Sequence, residues 1–191
     1  MSYSDKSFST QERQLLKKMV GAALESIDAV IVARGDCSWN TVRLHFNGFS
    51  IDVNNRLGEI VVDEFGTLDE FGLLSIAETA SEKLDIPEAS PNTTTYQIGK
   101  PVRSVEVLSD VISVFGDGIE VATIKYPQAI VMGVGDDFIV LDKEVWFSEM
   151  IALKRGVSAD ELLYDDSINW EDNHEEDPGT HFEFSTVFEE I

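Results

Sequence analysis

Two alternating runs meet at Asn47-Gly48. In "NTVRLHF" the apolar residues Val42, Leu44 and Phe46 fall on every second position, and in "FSIDV" Phe49, Ile51 and Val53 do the same. A period of two is the signature of a strand with one face in a core. Asn-Gly is the two-residue link that antiparallel strands favour, because both positions accept a positive φ. A chain with this stretch must build an antiparallel sheet with an apolar face, and the rest of the chain must cover that face.

The flanking segments suggest what does the covering. Ser9 and Glu12 have the spacing of a capping box. After them Leu15, Leu16, Met19, Val20, Ala23, Leu24 and Ile27 recur at helical intervals, which predicts a helix over about Thr10 to Ser26. Its far end blurs into "AVIVAR", which reads as helix or strand. "EIVVDEF" reads as a third strand. A second helix is expected over roughly Leu68 to Leu84, rich in Ala, Glu and Leu, with Pro87 and Pro91 beyond its end. Residues 86–100 hold prolines and small polar residues and read as a connector.

Beyond the connector the order repeats. Pro101 suits a first helical position, and Val102, Val105, Leu108, Ile112 and Phe115 keep helical spacing up to Gly116, although the β-branched residues make a strand the rival reading. "IEVATIKY", "AIVMGV" and "FIVLD" are strand candidates, and "KEVWFSEMIALKRG" reads as a closing helix. "GDGIE" and "GVGDD" lie between strands and read as hairpin turns, not as phosphate or calcium loops. The expected fold is therefore α+β, with antiparallel sheets flanked by helices. Its parts are halves at 1–85 and 101–156 and a C-terminal arm at 157–191; the repeated order has two readings, a duplicated helix–three strands–helix unit or convergent patterning of antiparallel strands. The order of elements and the acidity are similar in architecture to secretion-chaperone-like folds, with no shared motif.

Charge is the second constraint. The chain carries 36 acidic residues and 14 basic ones, a net −22. No Lys or Arg follows Arg155, whereas twelve carboxylates do. Such a field opposes direct binding to nucleic acid and to anionic membranes and attracts cationic partners. No apolar run approaches the ~20 residues of a membrane-spanning helix. One cysteine, Cys37, fits a reducing compartment. With no basic, apolar leader at the start of the sequence, a cytoplasmic setting is expected.

No catalytic, cofactor or metal site is assigned. Cys37 lacks a nucleophile signature, and His174 and His181 are seven residues apart with Pro178-Gly179 between them. Asp63 and Asp142 end matching strands and read as caps of the helices expected after them. The acidic stretch is different, because a purely solvating tail is poor in large apolar residues. It holds Trp170, Glu171, Asp172, Glu175, Glu176, Asp177, Phe182, Phe184 and Phe188. Aromatic anchors among carboxylates suit an interface with a basic protein. The expected role is thus an interaction module, as in inhibitors, immunity proteins, chaperones or nucleic-acid mimics. The alternative is a small enzyme or ligand-binding protein whose acidity only solubilises it.

Overall fold

A computed structural model describes residues 2–31, 37–62, 66–80, 84, 93–143, 145, 148–163 and 180–191. Among these residues one helix, α1 (Thr10–Met19), accompanies ten strands. They are β1 (Ser2–Asp5), β2 (Ala23–Ile31), β3 (Cys37–Phe46), β4 (Phe49–Val62), β5 (Gly66–Thr79), β6 (Thr93–Gly116), β7 (Ile119–Val134), β8 (Asp137–Lys143), β9 (Met150–Gly156) and β10 (Thr180–Glu190).

The expected hairpin is present. β3 and β4 pair with Phe46 opposite Phe49, and Val42, Leu44, Phe46, Ile51 and Val53 are all buried. Gly48, at φ +87°, supplies the left-handed backbone of the turn. In the β6–β7 hairpin Asp117 and Gly118 both have positive φ, as a type I′ turn requires.

Pairing returns on itself. β6 bonds β7, β7 bonds β8, β8 bonds β9, β9 bonds β3, β3 bonds β2 and β2 bonds β6, each step antiparallel. The result is a closed ring of six strands, a way of removing sheet edges. Two ring strands divide one edge between partners. β3 gives Cys37–Trp39 to β9 and Thr41–Phe46 to β4, with Asn40 at φ +59° between the two stretches. β6 gives Thr93–Pro101 to β2 and Glu106–Gly116 to β10.

The main core fills the ring. Leu24, Ile27, Val42, Leu44, Val105, Val107, Ile130, Met132, Ile139, Leu141 and Ile151 meet there, and Leu16 and Met19 of α1 join them. The capping box holds as expected: the Glu12 amide donates to Ser9 Oγ and the Ser9 amide to Glu12 Oε2. Farther along the β6–β7 hairpin, Ile112, Val114, Ala122, Ile124 and Tyr126 pack with Ile60 and Phe71 of β4 and β5. A third cluster of Leu108, Ala129, Val131 and Val140 is covered by Ala159, Leu162 and Leu163.

The α+β expectation, with helices flanking the sheets, is therefore overturned. The helix expected over 68–84 is strand β5 across Gly66–Thr79. The one expected after Pro101 lies within β6, and the one expected over 143–156 contains β9. The first helix stops at Met19, where Gly21 at φ +83° turns the chain into β2. A duplicated helix–strands–helix unit finds no support, since α1 has no counterpart among the described residues after β5.

Bulges explain much of the error. Glu25 is extra in β2, between the pairs Leu24–Phe46 and Ser26–His45, so Leu24 and Ile27 face one core three residues apart. Arg103 is extra in β6 and gives Val102 and Val105 the same spacing. One inserted residue turns a period of two into an interval of three, which imitates a helix. Leu108 adds to the illusion from the other face, being buried in a different cluster.

Candidate functional site

The C-terminal strand takes its place on β6. β10 runs antiparallel to it from Thr180 opposite Gly116 to Glu190 opposite Glu106, without a bulge. Phe184 and Phe182 stand opposite Ile112 and Val114 and pack, half-buried, on the second cluster. His181 stacks on Phe115, with ring centroids 4.5 Å apart. Toward the other end Val187 and Phe188 are 44% and 52% exposed. Glu189 is held by Arg13 of α1, whereas Glu183 and Glu190 are exposed. Trp170, Glu171, Asp172, Glu175, Glu176 and Asp177 lie outside the described residues, as do His174 and Asp63.

Among the described residues β10 bonds only β6, so it is an end strand. The Ile191 amide donates to Val105 O at 3.0 Å. Alternation along an antiparallel strand then turns the odd-numbered backbone groups of β10 toward β6. The amides and carbonyls of Phe184, Thr186 and Phe188 point away from the sheet. This is a row of backbone donors and acceptors flanked by carboxylates and two exposed apolar side chains.

A second feature lies where β6 outruns β7. Residues Thr93–Pro101 pair with β2, while pairing with β7 starts at Val102. Beside this overhang is a cavity of about 160 Å³ lined by Ile27, Tyr96, Ile98, Ile139, Leu153 and Arg155. Ile27 and Ile139 are fully buried; Tyr96, Ile98 and Leu153 are half-exposed, so the cavity opens to water. Its rim is ionic: Arg155 Nη2 donates to Asp137 Oδ2 at 2.6 Å and Lys100 Nζ to the same oxygen at 3.2 Å. The Arg155 guanidinium, and next the Lys100 ammonium, hold the Asp137 carboxyl below its usual pKa. Sequence reasoning did not assemble this group. The alternation of Tyr96, Ile98 and Lys100 was the available signal, hidden in a stretch read as connector.

Two polar clusters complete the survey. On the outer face of the sheet, His45 Nε2 meets Asp28 Oδ2 at 2.9 Å and His45 Nδ1 meets Ser50 Oγ at 3.1 Å, while Thr95 Oγ1 donates to Asp28 Oδ1 at 2.6 Å. An Asp–His–Ser order suggests a nucleophile relay. However, His45 is directly opposite Ser50 in the ladder, so cross-strand register alone accounts for the contacts. Beneath the surface, Asp142 accepts from Gln128 Nε2 at 3.0 Å and from Lys154 at 3.2 Å, and Lys143 Nζ donates to Gly72 O at 2.9 Å. Lys143 also lies 3.8 Å from the Tyr126 ring centroid. Asp142 is thus a buried strand residue and caps no helix among the described residues. Cys37 is buried at the start of β3.

These features define a β-ring protein with an acidic end strand and a small apolar cleft. Comparison with known protein families, with curated proteins and with solved structures finds no match. No helix among the described residues is long and apolar enough to cross a membrane.

Proposed function

We propose that this chain is an acidic interaction module of the cytoplasm that receives an extended, basic segment of a partner protein along the outer edge of β10. The observation that carries the reading is the outward row of backbone groups at Phe184, Thr186 and Phe188 on an end strand. Strand addition draws affinity from such main-chain groups and specificity from flanking side chains. Exposed Val187 and Phe188 supply apolar anchors, and Glu183 and Glu190 select for cations. Phe182 and Phe184, half-buried on the second cluster, hold the strand in place. By sequence the same acidic stretch holds Trp170, a further aromatic anchor, and the carboxylates Glu171, Asp172, Glu175, Glu176 and Asp177, and the proposed contact includes them.

A charged end strand also discourages self-association, and the test must separate the two roles. The probe is a short peptide alternating lysine and valine, titrated into the full chain. Binding is expected, and it should weaken when salt rises from about 0.1 M to about 1 M, where screening shortens from about 10 Å to about 3 Å. Thr186→Pro removes an outward amide without touching the ladder to β6, a position where proline is tolerated. It should abolish binding in a chain that stays folded. Undiminished binding by Thr186→Pro, or affinity indifferent to salt, contradicts the reading.

A further inference from the structure

We propose that the cleft between the β6 overhang and the β8–β9 pair binds one small apolar carboxylate, a single ring or a short chain. This inference is independent of the β10 reading. Three observations carry it, and each limits the ligand differently.

The walls set the chemistry of its body. Five of the six lining residues are Ile27, Tyr96, Ile98, Ile139 and Leu153. Ile27 and Ile139 are fully buried, whereas Tyr96, Ile98 and Leu153 leave apolar surface open to water, and an apolar ligand would cover it. The mouth of a β-barrel is a recurrent place for such a site. Here it exists because β6 continues past its pairing with β7.

The rim sets the charge of its head. Arg155 and Lys100 share one carboxylate oxygen of Asp137, so the three groups keep one net positive charge in a chain of net −22. A guanidinium has five N–H donors and an ammonium three. Among the described residues each of these two side chains makes a single hydrogen bond to Asp137. Arg155 itself lines the cavity, so its remaining donors face a ligand whose apolar part lies against Leu153. A carboxylate matches the guanidinium fork.

The size sets the upper limit. A cavity of about 160 Å³ is close to the roughly 150 Å³ that holds one benzene, and well below the roughly 300 Å³ at which drug-sized sites begin. Long-chain fatty acids and cofactors are thereby excluded from full enclosure.

The test titrates the full chain with octanoate and, separately, with octanol, watching the isoleucine δ-methyl signals by NMR. Octanoate is expected to shift Ile27, Ile98 and Ile139 while leaving Ile60, Ile112 and Ile124 of the second cluster unmoved. Arg155→Gln should weaken octanoate by about tenfold and leave octanol within about twofold. Leu153→Trp, which fills the space, should remove both; if that variant does not fold, Ile98→Phe serves on the half-exposed wall. The proposal is overturned by absence of shifts at octanoate saturation. It is equally overturned by shifts centred on the second cluster, or by an octanoate affinity that Arg155→Gln leaves unchanged.

Discussion

β4 and β10 are both joined to the ring from outside, β4 along β3 and β10 along β6, yet the chain treats them in opposite ways. β4 has β5 on its far edge, and Ile51 and Val53 are fully buried beneath it. β10 has no strand on its far edge among the described residues, and Val187 and Phe188 face water. A strand paired on both sides and buried on one face holds the fold together. A strand paired on one side, with carboxylates along it, is free to offer its backbone.

The largest expected effect breaks the β4 side. Ile51→Ala should cost about 2–5 kcal/mol, because a fully buried side chain leaves a cavity in a core shared by α1 and the ring. Chemical denaturation measures it; a cost below about 1 kcal/mol would show that β4 is peripheral too. Phe184→Ala, on half-buried β10, should cost about 1–2 kcal/mol, since less apolar area returns to water. Between them stands Gly72→Ala. A methyl there would overlap the Ser148 carbonyl and approach Asn55 Oδ1 to 2.8 Å. Asn55 is itself fixed by donating to Ser148 O and Met150 O, so a loss of about 1–3 kcal/mol is expected.

The smallest effect concerns acid. The folded state holds the Asp137 carboxyl below its ordinary value, so its contribution is complete above the unfolded pKa of about 4 and fades as pH falls through the lower folded one. Asp137→Asn should therefore flatten the stability profile only below about pH 4. A difference between the two proteins that stays undiminished as pH falls below about 4 would mean that the ion triad is not its source.

The same contrast explains what was legible in the sequence. β3 and β4 pair without a bulge, so Val42, Leu44, Phe46, Phe49, Ile51 and Val53 display an unbroken period of two, and the hairpin can be read directly. The Ser9–Glu12 cap is local chemistry and is equally readable. β2 and β6 are strands whose periodicity is broken by Glu25 and Arg103, and in both the interval across the bulge copies a helix. β5, rich in Ala, Glu and Leu, is a strand because β4 offers it a complete ladder, a non-local fact that propensity does not contain. The cleft was beyond reach for a similar reason: Ile27, Ile98 and Arg155 meet only after the ring closes. The acidic, aromatic character of β10 was legible, but not which aromatics would be spent on packing. Phe182 and Phe184 turn onto Ile112 and Val114, whereas Phe188 remains exposed.

The most direct test of β10 as a receiving edge is amide hydrogen exchange with and without the lysine–valine peptide. The amides of Phe184, Thr186 and Phe188 should exchange readily in the free chain and become protected together when the peptide binds, while those of Ser185 and Val187, already bonded to β6, change little. Protection that appears elsewhere, or leaves Thr186 and Phe188 as open as before, would contradict the claim.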